Sequence, residues 1–241
     1  MEKLVEKDNE VKAVGLPDMV QNIDGKMYLF GKEITVDDNA IDPELEIKEN
    51  NRIENFKNCV PKMFWNSSLD NFIAETKNEK EALQETKKLI KRTKDGDCNE
   101  LLLFYGKCGT GKTHLGASMV RELGGVYINS FNLCIEYECC TDFKAKQNRV
   151  QMLKKYTHEK FLVIDEVGRG KDNVENEILP YIINSRYEEL LPTVLITNLD
   201  KDFLLRHKLG VATTDRLCEV CISVCFDGKS KRLGLRHIDN I

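Results

Sequence analysis

Two regimes of hydrophobic patterning divide the chain. Before residue 60 the apolar positions are sparse. There, Lys26-Met27-Tyr28-Leu29-Phe30, Gly31-Lys32 and Glu33-Ile34-Thr35-Val36 read as a β-hairpin turning near Gly31. Asp37 to Asn51 is acidic and reads as loop or linker. Leu69, Phe72, Ile73, Leu83 and Leu89 predict a helix from about Ser68 to Arg92. After residue 100, short apolar runs alternate with amphipathic stretches. The runs are Leu101–Tyr105, Val126–Ile128, Phe161–Ile164, Thr193–Thr197 and Cys221–Phe226. Strands alternating with helices predict an α/β fold, a parallel five-stranded sheet flanked by helices. Continuous apolar runs suit strands covered on both faces. Pro180, inside the pattern Ile178, Leu179, Ile182, Ile183, is expected to open or kink its helix.

The first run leads into Gly106-Lys107-Cys108-Gly109-Thr110-Gly111-Lys112-Thr113, a full G-x-x-x-x-G-K-[ST] phosphate loop. Glycines let successive backbone N–H groups turn inward on phosphate oxygens. The helix that follows, with Leu115, Met119, Val120 and Leu123 on one side, adds its positive end. Lys112 is expected on the β- and γ-phosphates, and the Thr113 hydroxyl on Mg²⁺.

The third run ends in Asp165-Glu166. Ligands of open α/β sheets bind beyond the carboxyl ends of strands. Asp165 is expected to hold Mg²⁺ directly or through water. Glu166 is expected to act as general base on an attacking water. Such a pair suits a nucleotide hydrolase better than a small-molecule kinase, which stays open as an alternative.

The chain has 241 residues, 32% of them charged, and no apolar run long enough to span a bilayer. The N-terminus lacks a basic-then-apolar leader, so a cytoplasmic protein is expected. Residues 1–60 carry 8 Lys and Arg against 14 Asp and Glu, a net of −6, and read as a small acidic module of their own. The remainder nets +2, so contact with nucleic acid must come from a local patch. Nine cysteines, an odd number in a chain this long, argue against a disulfide scaffold. In Cys221–Phe226 the cysteines alternate with Ile222, Val224 and Phe226, which is strand periodicity and not a metal motif.

The order of Walker A, Walker B as Asp165-Glu166, Ile196-Thr197-Asn198 and Asp215-Arg216-Leu217 resembles an AAA+ ATPase. More narrowly, it resembles the DnaC-type helicase loaders and the IstB-like transposition helpers. Val60-Pro61 with Leu69-Asp70-Asn71-Phe72, Thr113-His114-Leu115, Asp165-Glu166-Val167-Gly168, Asn184-Ser185-Arg186-Tyr187-Glu188 and Gly228-Lys229-Ser230-Lys231-Arg232 carry the narrower likeness. The resemblance implies an ATPase domain over 61–241 with a reduced lid, ATP and Mg²⁺ as ligands, and slow hydrolysis coupled to self-assembly. Nucleotide would be bound by residues 106–114 and by Arg232 as sensor 2. Asn198 would be sensor 1, and Arg216 an arginine finger reaching a neighbouring subunit. The implied partners are a replicative helicase and single-stranded DNA, with no membrane. In the resembled proteins the DNA region corresponds to 141–156. Here it offers Phe143, Lys144, Lys146, Arg149, Lys154, Lys155 and Tyr156, basic groups interleaved with aromatics. The rival within the same likeness is a transposition helper acting on duplex DNA.

Overall fold

The computed structural model describes residues 4–7, 10–13, 20–23, 26–29, 32–36, 43–98, 100–140 and 148–232. The chain falls into two compact units, Met1–Ile53 and Glu54–Ile241.

The smaller unit holds a five-stranded sheet of β1 (Leu4–Lys7), β2 (Glu10–Ala13), β3 (Val20–Ile23), β4 (Lys26–Leu29) and β5 (Lys32–Val36). The spatial order is β1-β2-β5-β4-β3. β4 and β5 pair antiparallel with Leu29 opposite Lys32, as the hairpin reading requires; the turn at Phe30 and Gly31 lies outside the described residues. The linker reading of 37–51 is corrected: helix α1 runs Pro43–Cys59. Proline at its first position, where no N–H is needed, and acids in the first turn favour that start.

The larger unit is a three-layer α/β domain. Its strands are β6 (Leu101–Gly106), β7 (Val126–Asn129), β8 (Leu162–Val167), β9 (Thr193–Thr197) and β10 (Cys221–Phe226). All pair in parallel, in the order β10-β6-β9-β8-β7. Alternate residues feed opposite faces. Leu102, Phe104, Val163, Val194 and Ile196 pack with α2 (Lys77–Lys94) and α3 (Lys112–Leu123). Leu101, Leu103, Leu162, Ile164 and Leu195 pack with α4 (Ser130–Cys139), α5 (Arg149–Thr157), α6 (Asp172–Glu188) and α8 (Gly210–Val220). A short α7 (Lys201–Leu204) and a π-helical turn, Leu205–Leu209, lead into α8.

Two helical expectations change. The helix read from Ser68 begins only at Lys77. Ser68 and Asn71 exchange side chain–backbone hydrogen bonds that turn the chain instead. Thr76 and Glu79 then form a capping box that fixes the true start. Pro180 neither opens nor ends α6, which runs through it. Buried Ile178, Leu179, Ile182 and Ile183 hold the helix to the sheet on both sides of the proline.

Candidate functional site

The phosphate loop leaves the carboxyl end of β6 and delivers Lys112 as the first residue of α3. Gly109 and Gly111 adopt φ of +76° and +105°. A Cβ would fall 2.1 Å from Ser230 Oγ at the first and 2.7 Å from Phe72 Cε2 at the second, so both positions need glycine twice over. The Lys112 ammonium is buried and donates to the carbonyls of Gly106 (2.8 Å) and Lys107 (2.6 Å). Burial pushes its pKa down. The loop is braced from the far end of the chain. Lys107 N–H donates to Phe226 O (2.8 Å), and Lys231 N–H to Gly109 O (2.7 Å).

The acid pair sits on a β-bulge. Ile164 pairs with Leu195, but Val167 pairs with Thr197, so β8 carries one residue more than β9 across this step. The bulge turns the two side chains in different directions. Glu166 takes φ +53°, unusual for a residue with a side chain. Asp165 is buried, at 2% exposure, beside Thr113. Its carboxylate accepts hydrogen bonds from the Tyr127 hydroxyl (2.6 Å), the Glu166 N–H (2.6 Å) and the Thr113 hydroxyl. Burial raises its pKa; the bond from Tyr127 is the largest influence opposing that rise. Glu166 is more open. Asn129 Nδ2 donates to its Oε2 at 2.5 Å, and Arg169 Nη1 to its Oε1 at 3.0 Å.

These groups meet in one cleft of about 350 Å³. Among the expected residues its lining includes Cys108, Gly109, Gly111, Lys112, Thr113, His114, Asp165, Glu166, Asn198 and Arg232. Gly106, Lys107 and Thr110 complete the loop; the Thr110 hydroxyl donates to Lys107 O at 2.8 Å. His114 bonds Ser68 O through Nε2 (2.9 Å) and lies against Phe72, so it holds the 68–72 turn onto α3. Asn198 follows β9 and is exposed. Arg216 does not line this cleft. It projects from α8, 3.7 Å from Glu188.

The basic segment is described only in part. Phe143, Lys144 and Lys146 lie outside the described residues. Arg149 stacks over Tyr137 at 4.3 Å, Lys155 pairs with Glu136 at 3.3 Å, and Lys154 is exposed. Tyr156 is buried and gives its hydroxyl to Glu136, which removes it from any stacking surface.

Several site groups escaped the motif reading. Tyr127 and Asn129 belong to β7, whose Asn129 is in register with Asp165. Their signal was position alone, at the carboxyl end of a parallel strand. Phe72 and Lys231 form a second wall. Lys231 Nζ sits 4.5 Å over the Phe72 ring, bonds Ile73 O, and pairs with Glu79 at 3.2 Å.

The donors suit a magnesium nucleoside triphosphate. The buried ammonium bonds two carbonyls and lies 5.9 Å from the Phe226 ring, with no ion pair among the described residues, which leaves it able to take an anion. A buried carboxylate next to a threonine hydroxyl offers hard oxygen ligands of the kind Mg²⁺ takes.

Parallel order, phosphate loop, bulged acid pair and strand-end asparagine together define the P-loop class of α/β fold. Within that class the chain is similar to the DnaC-type helicase loaders and to the IstB-like ATP-binding proteins. A family model described as RNA helicase matches residues 102–198, from β6 to just past β9. The replicative helicase loader DnaC of Escherichia coli K12 is 27% identical over 157 residues, 63% of each chain. A putative ATP-binding protein of insertion sequence IS232 from Bacillus thuringiensis is 32% identical over 146 residues, 56% of each. The match thus spans under two thirds of these relatives. The crystal structure of the DnaC helicase loader superposes with a TM-score of 0.58 at 22% identity, covering 69% of this chain and 99% of that one.

Proposed function

We propose that this chain is an ATPase that loads a replicative helicase on single-stranded DNA. The observation that carries the ATPase reading is the buried Lys112 ammonium facing a bulged Asp165-Glu166 pair across one cleft. Lys112 holds the β- and γ-phosphates of ATP. Thr113 and Asp165 hold Mg²⁺, which neutralises phosphate charge when bound. Glu166, steadied by Asn129 and Arg169, accepts the proton of the attacking water. Asn198 orients that water, and Arg232, which lines the same cleft, contacts the phosphates.

Arg216 acts in a neighbour's site. Its absence from the lining of its own cleft, and its half-buried seat on α8, support that assignment. Hydrolysis is then slow in the lone protomer and depends on assembly, because the charge that stabilises the transition state comes from next door. Residues 1–60, with their net charge of −6, dock the protein partner, and the ATPase domain is 61–241. DNA is met by the segment holding Arg149, Lys154 and Lys155.

The likeness to DnaC supports the loader reading, and the 32% identity to the IS232 protein keeps transposition as the second reading. The two part on the partner. Purified replicative helicase and transposase, each offered to the Glu166→Gln protein with ATP, decide between them. Stable complex with the helicase, lost on deleting residues 1–42, which leaves α1 and the larger unit whole, supports the loader. Complex with the transposase alone overturns it.

A further inference from the structure

A buried carboxylate behind the cleft ties together the elements that place Glu166. Glu175, on α6, is fully buried. Its Oε1 accepts the Gly168 N–H at 2.7 Å and the Ser130 hydroxyl. Its Oε2 faces the Lys208 ammonium at 3.3 Å, and Lys208 also pairs with Asp172. Each partner occupies a telling position. Gly168 lies two residues after Glu166, and its φ of +95° closes the loop that the bulge opens. A Cβ on Gly168 would fall 2.2 Å from Leu199, the neighbour of Asn198. Ser130 opens α4 directly after Asn129, whose amide holds the Glu166 carboxylate. Ser130 is itself fully buried.

We infer that Glu175 is a positioning residue for Glu166; the inference rests on the ATPase reading above. Through Gly168 it holds the backbone of the bulge in the conformation that gives Glu166 its left-handed φ. Through Ser130 it fixes the start of α4, and so the aim of the Asn129 amide. Lys208 supplies the counter-charge to this buried carboxylate at 3.3 Å. One oxygen therefore controls the general base from two sides without touching nucleotide. With either arm released, Glu166 is free to leave the line of the attacking water. Misplacement of a catalytic group by about 1 Å costs up to a hundredfold in rate.

The test is a double-mutant cycle on turnover, with nucleotide affinity measured beside it. Glu175→Gln keeps the shape but replaces one oxygen with an NH₂, which meets donors whichever way it turns, Lys208 on one side or Gly168 and Ser130 on the other. It should lower kcat about tenfold or more and leave ATP affinity within about twofold. Asn129→Ala should do the same. Made together they should cost little more than Asn129→Ala alone, because both act on one carboxylate. A general packing role predicts otherwise: ATP affinity falls with kcat, and the two losses multiply in full. Should Glu175→Gln fail to fold, Ser130→Ala runs the same cycle, removing only a hydroxyl. Full multiplication, or wild-type turnover in Glu175→Gln, overturns the positioning role alone. Absence of turnover in the assembled wild type removes the ATPase reading and this inference with it.

Discussion

Arg186 is fully buried on α6, yet no carboxylate among the described residues bonds it. Its guanidinium donates to the carbonyls of Tyr156 (2.9 Å), Glu159 (2.7 Å) and Pro192 (2.8 Å), and to the Thr193 hydroxyl (2.7 Å). Burial pushes its pKa down to about 10, so it is still charged at neutral pH. Arg186→Met preserves volume and removes the donors. Buried ion pairs often tolerate such a change because both partners can be made apolar. Here the partners are backbone carbonyls, which stay behind. Pro192 O keeps a second donor, Leu162 N–H at 3.4 Å, and Thr193 Oγ1 keeps Leu191 O. Tyr156 O and Glu159 O lose the guanidinium. At about 1–3 kcal/mol for each buried acceptor left short, the loss is about 2–6 kcal/mol, and we expect about 4. Arg186→Lys keeps one ammonium for two of the carbonyls and should lose about 2 kcal/mol. Trp65, the single tryptophan, lies in the larger unit, so its fluorescence follows that unit through urea unfolding. A 4 kcal/mol loss moves the midpoint down by about 2 M at an m-value of about 2 kcal/mol/M. A methionine variant within about 1 kcal/mol of wild type, or a lysine variant less stable than methionine, would refute the reasoning.

Lys112→Ala should abolish ATP binding in a fluorescent-nucleotide titration; retained micromolar affinity sinks the phosphate-loop role. Glu166→Gln should bind ATP and hydrolyse it at least about a hundredfold more slowly, and normal phosphate release removes Glu166 as base. Arg216→Ala should bind ATP but not turn it over, while mixing it with Glu166→Gln protomers should recover part of the activity. No recovery on mixing, or full activity alone, means Arg216 is not a finger. Changing Arg149, Lys154 and Lys155 together to Ala should flatten the salt dependence of single-strand binding by a slope of about 2, at about 0.7 per phosphate contact; an unchanged slope moves the DNA elsewhere.

The core of the larger unit was legible where chemistry forces runs of residue types. The inner strands β6, β8 and β9 announced themselves as nearly continuous apolar runs, because helices cover both faces of the sheet, whereas the edge strand β10 showed as an alternation. The phosphate loop was legible because its glycines answer to φ values and close approaches that side chains refuse. The start of α2 was misread because Leu69, Phe72 and Ile73 have helical spacing, but Leu69 and Phe72 pack from a turn and Ile73 is exposed. The signal that outranked them, Thr76 with Glu79 three residues on, was present in the chain. The hairpin of β4 and β5 showed in its alternation, whereas α1 hid behind an acidic composition. Other features depend on register, which one strand cannot announce. Tyr127 and Asn129 serve the acid pair only because β7 lies beside β8, and the bulge under Glu166 exists only as a mismatch with β9.

The brace on the phosphate loop has a consequence for how the chain comes to life on the ribosome. Gly106 and Lys107 rest on Phe226, and Gly109 rests on Ser230 and Lys231, residues translated some 120 codons later. A nascent chain that has finished β9 already owns its Walker motifs, but not the strand and strap that hold the loop in shape. The loop can therefore take its final shape only after residues 226–231 have emerged and folded back onto it.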